Sequence, residues 1–150
     1  MRWASCLFYP SREPAVSSSP QEIFRNLVYA GTLTRNADAL AELFTEDGVL
    51  EAPLVDAGAA FPRRMEGREQ IRSAMAAYYA RQTSDGGAPN TEKSGYVLHL
   101  TDDPDVFIAE IDAVFDGGGA DTTVSLVQIF RVRDGKIARL RDYFAPGQVS

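Results

Sequence analysis

The second half of the chain constrains the fold most. Between residues 96 and 144, four runs rich in β-branched, aromatic and aliphatic residues are separated by short turn strings. Residues 96–101 end in Thr101-Asp102-Asp103-Pro104. Residues 106–115 end in Asp116-Gly117-Gly118-Gly119, and residues 122–133 end in Asp134-Gly135, before a last run to Phe144. Connections this short join antiparallel neighbours, because a parallel return needs a long crossover. The first half reads differently. Ser19-Pro20-Gln21-Glu22 is a helix start, with Ser19 as cap and Pro20 at the first position, and Ile23, Phe24, Leu27, Val28 and Gly31 follow at helical spacing. Asn36 opens a second, shorter helix carrying Leu40, Leu43 and Phe44, stopped by Glu46-Asp47-Gly48. A short strand, residues 49–53, and a loop to Arg64 precede a third helix from Gly67 to about Gln82. Residues 83–90 form a polar loop. Helices first and antiparallel strands later predict an α+β fold, with helices packed on one face of a curved sheet.

The last strand carries the first hint of function. Successive strand side chains point to opposite faces, so Ala138, Leu140, Asp142 and Phe144 share one face and Arg139, Arg141 and Tyr143 the other. The first face is apolar except for Asp142. A carboxylate there is paired, solvated or used.

Composition narrows the classes. The 150 residues fit one domain, and the net charge of −6 disfavours nucleic acid and anionic membranes as partners. One cysteine, Cys6, excludes an intrachain disulfide, and one histidine, His99, leaves too few nitrogen and sulfur ligands for a zinc site. No apolar run approaches the ~20 residues of a membrane span. Residues 1–19 read as a flexible arm rather than a secretory signal, residues 20–146 as the domain and residues 147–150 as a tail. The location expected is cytoplasmic. Gly117-Gly118-Gly119 lacks the strand–helix context of a phosphate loop and is a hairpin tip.

Three strings in this order, Asn36-Ala37-Asp38-Ala39-Leu40-Ala41-Glu42-Leu43-Phe44, Glu66-Gly67-Arg68-Glu69-Gln70-Ile71 and Arg141-Asp142-Tyr143-Phe144 after Asp134-Gly135-Lys136-Ile137, resemble the nuclear-transport-factor-2-like superfamily. More narrowly they look like its polyketide-cyclase-like (SnoaL-like) and limonene-epoxide-hydrolase-like branches. The resemblance implies a cone of three helices and a bent sheet around one deep pocket, a small-molecule substrate, no cofactor and a homodimer. It matches Asp142 to the acid/base aspartate of the cyclases and to the water-handling aspartate of the epoxide hydrolases. Asp112 matches the second carboxylate of the latter. Departures are equally specific. Glu110 stands where the epoxide hydrolases carry an arginine, and Leu50 and Ala52 replace a tyrosine and an asparagine. Val28, Ala52 and Gln128 replace the three catalytic groups of the steroid isomerases.

Strand alternation puts Ile108, Glu110, Asp112 and Val114 on one face. The catalytic set expected is therefore Asp142, Asp112, Glu110 and Gln128, with neighbouring carboxyls pushed apart in pKa to serve as base and acid. The opposite orientation, with Glu110 and Asp112 in solvent and Val106, Ile111 and Phe115 buried, is not excluded by alternation. Gln128, on an apolar strand face, needs partners and could orient Asp142. Candidate substrate-binding residues are His99, Tyr78, Tyr79, Phe44, Leu50 and Phe144. The function expected is a cofactor-independent acid–base enzyme acting on an apolar oxygenated small molecule: a cyclase, isomerase, dehydratase or epoxide-opening enzyme of specialised, polyketide-type metabolism. The alternative is a non-catalytic binding or dimerisation module of the same fold.

Overall fold

The computed structural model describes residues 18–82 and 87–145. Nearly all of the expected arm, part of the loop after Gln82 and the tail lie outside the described residues. Helix α1, Pro20–Val28, begins where expected: Ser19 Oγ accepts from the Glu22 N–H at 3.2 Å, and Ile23, Phe24 and Leu27 are buried. It runs into a π-helical turn, Tyr29–Leu33, where the Thr34 N–H reaches back five residues to the Tyr29 carbonyl. Asn36 caps α2, Ala37–Glu42, by accepting from the Ala39 N–H at 3.0 Å.

Here the chain departs from expectation. Helix α2 stops before Phe44, and β1 spans Phe44–Glu51. Phe44 pairs in parallel with Ile137, and this long-range contact overrides the local helical pattern. Glu46-Asp47-Gly48 does not stop a helix; it lies in an irregular stretch of β1 between the pairs Phe44–Ile137 and Val49–Arg139. Gly48 is required there. A Cβ would stand 2.9 Å from Phe44 Cβ and 3.0 Å from the Thr45 carbonyl oxygen.

The remaining elements are β2 (Arg64–Glu66), α3 (Arg68–Arg81), β3 (Ala88–Pro89), β4 (Gly95–Leu100), β5 (Val106–Asp116), β6 (Thr122–Arg133) and β7 (Lys136–Tyr143). β2 and β3, at three and two residues, are too short to show a period in the sequence. The sheet order is β2-β1-β7-β6-β5, with β3 and β4 both on the far side of β5. Only β1 with β7 is parallel. The β6–β7 loop is Asp134-Gly135 with φ values of 52° and 76°, both positive, as the tight hairpin turn matched to strand twist demands.

A bulge follows. Val132 pairs with Ile137 and Arg131 with Arg139, so Ala138 is the extra residue. Ile137, fully buried, takes the inward place expected for Ala138, and the inward alternation resumes at Leu140. The helices cover the concave face, giving an α+β cone. Phe107 stacks on Phe130 at 4.4 Å, Phe24 meets Phe130 edge-on at 6.4 Å, and Phe61 bridges Tyr78 and Phe144 at 5.0 and 5.3 Å.

Candidate active site

Strand register lays three rows of side chains across the concave face. Leu100, Phe107, Phe130, Leu140 and Leu50 form one. Tyr96, Ile111 and Leu126 begin another, toward Phe144. Between them runs Leu98, Ala109, Gln128 and Asp142, with Ala52 one residue beyond the Glu51–Arg141 pair. The polar residues of this site therefore occupy one row between two apolar ones.

Asp142 and Gln128 are direct cross-strand partners. Gln128 Nε2 donates to Asp142 Oδ2 at 3.2 Å. Asp142 as a residue keeps some exposure, but its Oδ1 is out of contact with solvent, and neither Oδ1 nor Gln128 Oε1 has a hydrogen-bond partner among the described residues. Burial pushes the carboxyl from 3.8 up to about 7, against the Gln128 hydrogen bond, which pulls it down. Near neutrality Asp142 is thus present in both charged and neutral forms, the condition for a group that takes a proton and returns it.

The other expected catalytic residues are elsewhere. Phe107 and Ala109 point inward from β5, so Glu110 and Asp112 lie on the convex face, both exposed. The inward orientation expected for these two carboxylates is corrected: their neighbour Ala109 is fully buried, and alternation puts them opposite. Asp112 accepts a hydrogen bond from the Ser125 hydroxyl of β6, and Glu110 faces His99 Nε2 at 3.5 Å. His99 is exposed beside Glu110, not on the concave face, which removes it as a pocket residue.

Phe44 is fully buried against β7 near Ile137, three positions along that strand from Leu140, and packs the core rather than the Asp142 row. Leu50 (4% exposed) and Phe144 (6%) belong to the rows flanking it. Tyr78 is buried, its hydroxyl accepting from Gln82 Nε2 at 2.8 Å, and burial raises its pKa. Tyr79 is half-buried; burial first, then Tyr78, pushes its phenol up to about 12, so it stays neutral. It lines a surface hollow of about 420 Å³ with Thr34, Arg35 and Asn36. A second hollow, about 570 Å³, lies by Thr45, Asp47, Arg68 and Arg133. Neither hollow includes Asp142, and both are open grooves lined by charged residues.

The whole of this arrangement can be set beside known proteins. A family model described as a SnoaL-like domain matches residues 26–140. The chain belongs to the SnoaL-like domain family. An uncharacterised PhzA/B-like protein of Pseudomonas aeruginosa is 32% identical over 124 residues, covering 80% of this chain and 82% of that protein. Among solved structures, a candidate isomerase from Bacillus subtilis superposes with a TM-score of 0.66 at 26% identity, over 86% of this chain and 88% of the other. An epoxide hydrolase/cyclase-like enzyme with a role in pyran ring formation in the polyether salinomycin shares the fold, with a TM-score of 0.56 at 20% identity over 85% and 92% of the two chains.

Two features of this SnoaL-like chain were not read from sequence. Ala109, fully buried, stands beside Gln128 in the polar row, a relation visible only once the register is known. On the convex face Glu51, 6% exposed, accepts from Arg139, Arg141 and Arg64. Burial would raise its pKa, but the Arg139 and Arg141 hydrogen bonds and the Arg139 and Arg64 charges outweigh this and hold it below 4.5.

Proposed function

We propose that the protein is a cofactor-independent acid–base enzyme acting on an apolar, oxygenated small molecule, with Asp142 as the proton-transfer group and Gln128 as the residue that positions it. The observation that carries this reading is a carboxyl on the concave face, held at about 7 by burial and tethered through one oxygen to Gln128. Tethering Oδ2 leaves Oδ1 to take the proton. One carboxyl can remove a proton from carbon or oxygen and return it to another atom of the same substrate. Isomerisation and cyclisation need no more, and dehydration needs only that the same group protonate the departing hydroxyl. Hydrolysis of an epoxide asks for a base on water and an acid on the ring oxygen, and the second carboxylate, Asp112, is on the other face. Isomerase, cyclase or dehydratase chemistry is therefore favoured over epoxide hydrolysis. The names of the relatives, isomerase, epoxide hydrolase/cyclase-like and PhzA/B-like, fit a role in specialised, polyketide-type metabolism. No helix among the described residues is long and apolar enough to cross a membrane.

The test uses 5-nitrobenzisoxazole, whose C3 proton is removed by a base as the N–O bond breaks to give a coloured cyanophenolate. Wild-type protein should accelerate this reaction, with a rate that rises with pH through about 7. Asp142→Asn should lower it by about 100-fold or more. Equal rates for the two proteins would end the proposal.

The convex face supports a homodimer. Val97 (54% exposed) and Val127 (37%) lie on one row with Glu110 and Tyr143, beside Ile108 and Ile129. Arg139 and Arg141 stand on the β7 side of this apolar centre and Glu110 and Asp112 on the β5 side. A two-fold axis through the centre sets each half against its opposite charge. Sedimentation should give a dimer that a Val127→Glu substitution dissociates; a monomeric wild type at micromolar concentration would refute this.

A binding module without turnover is the second reading, and one observation favours it: no other carboxylate accompanies Asp142 in the polar row. It predicts no acceleration of 5-nitrobenzisoxazole cleavage by the wild-type protein.

A further inference from the structure

Proton transfer by Asp142 leaves the buried carboxylate of Glu51 without a task. Glu51 is 6% exposed and lies on the convex face of β1, directly opposite Arg141 of β7. Three guanidinium groups share it. Arg139 Nη2 donates to its two oxygens at 3.0 and 3.1 Å, Arg141 Nε donates to Oε2 at 3.1 Å, and Arg64 Nη1 of β2 donates to Oε1. Arg64 also donates to Glu66, at 2.6 Å. Three positive charges therefore meet two negative ones. Fastening β2, β1 and β7 together does not require such a cluster, since a buried ion pair adds little stability over apolar packing.

Its place in the sheet gives it a second role. Arg141 is the residue before Asp142, and strand alternation sends the two side chains to opposite faces. The cluster thus stands behind Asp142, roughly 10 Å away through the sheet on strand and side-chain dimensions. Among the described residues, the concave side buries no charge that offsets it. The cross-strand partner of Asp142 is the neutral amide of Gln128, and Tyr78 and Tyr79 of α3 are neutral phenols. Glu22 and Arg25 of α1 and Glu69 and Arg81 of α3 are exposed, while Arg68 and Arg72 are held by the Phe44 carbonyl and by Glu42. A positive field through the sheet favours the ionised carboxyl, away from the mixture of charged and neutral forms that proton transfer uses.

From this placement we infer that Glu51 acts on Asp142 through the sheet, as a positioning residue: its carboxylate gathers the three arginines and offsets their charge where they stand behind Asp142, so that Asp142 can still hold a proton. The inference rests on the reading that Asp142 transfers protons, and it adds what keeps the carboxyl fit for that task. Glu51 titrates below 4.5, and arginine side chains do not deprotonate in proteins, so the offset is constant across the range in which Asp142 changes charge.

Carbon NMR of the Asp142 carboxyl, assigned by its loss in Asp142→Asn, tests this directly. The wild-type midpoint should lie at about 7. Glu51→Gln should lower it by about half a unit to one unit, the effect of one charge at roughly 10 Å in a medium between water and protein interior. Arg139→Met, which takes a positive charge from the same cluster, should raise it by a similar amount. Glu51→Asp, which keeps the charge, should hold the wild-type value. Glu92→Gln, in an exposed turn before β4, should leave the midpoint in place. Opposed signs are the signature, because loosened strands would admit water to Asp142 and lower the midpoint in both Glu51→Gln and Arg139→Met. A fall in both, an equal shift in Glu92→Gln, or a wild-type midpoint near 3.8 would each overturn the inference. The titration needs no substrate. Midpoints that move as expected without cleavage of 5-nitrobenzisoxazole end the catalytic reading alone. Cleavage lost in Asp142→Asn, with a midpoint indifferent to Glu51→Gln, ends this inference alone.

Discussion

The elevated pKa of Asp142 has a consequence for stability that can be measured without knowing a substrate. In the unfolded chain its carboxyl titrates near 3.8, and in the folded protein near 7. Between these values the folded state holds a proton that the unfolded state has released. Stability therefore falls as pH rises across this window, since its slope follows the difference in bound protons. The contribution is fully present below 3.8 and lost as pH passes about 7. At 1.36 kcal/mol per unit of pKa, the separation corresponds to about 4 kcal/mol. Water drawn in by the ionised carboxylate reduces this, so the figure is a ceiling. Asp142→Asn keeps the shape and removes the titration. Urea unfolding followed by far-ultraviolet circular dichroism should find the variant gaining on the wild type as pH rises from about 5 to about 8, by up to about 3 kcal/mol, the rest of the change lying below pH 5. Glu51, Asp47 and Asp121 have lowered pKa values and act oppositely, but at lower pH, and they are common to both proteins. A wild-type-minus-variant difference that stays constant across this range would refute the claim that Asp142 is buried without a compensating charge.

Other positions give sharper structural checks. Gly48→Ala forces a Cβ against Phe44 Cβ and the Thr45 carbonyl and should cost about 1–3 kcal/mol in urea unfolding. Glu51→Gln strips the shared carboxylate from Arg64, Arg139 and Arg141 and should cost about 2 kcal/mol, less than for a fully buried pair because the arginines are half-exposed. That deficit is present above pH 4.5 and shrinks as Glu51 protonates, because its pKa is lowered in the folded state. Asp112→Asn, on the convex face, should leave cleavage of 5-nitrobenzisoxazole at the wild-type rate.

The residues that sequence reading placed well and those it misplaced differ in a physical way. Asp142 was legible because β7 has one apolar face from Leu140 onward, so a lone carboxylate stands out. β5 offers no such contrast. Val106, Ile108 and Val114 make its convex face nearly as apolar as Phe107, Ile111 and Phe115 make the concave one, and a two-residue period then says which residues travel together but not which way they point. The direction shows only in the packing: Phe107 and Ala109 are buried on the concave side, with Ala109 opposite Gln128. The bulge at Ala138 and the parallel docking of β1 on β7 are long-range events with no local mark. These hidden features bear directly on the proposed chemistry. Turning Glu110 and Asp112 outward leaves the concave row with one titrating carboxyl instead of three. A single carboxyl near 7 with a neutral amide for company can move one proton out and back, but it cannot hold base and acid at once. The sequence read alone allowed a two-carboxylate mechanism. With Asp142 as the proposed proton-transfer group, the register of β5 favours reactions in which the proton removed is the proton restored.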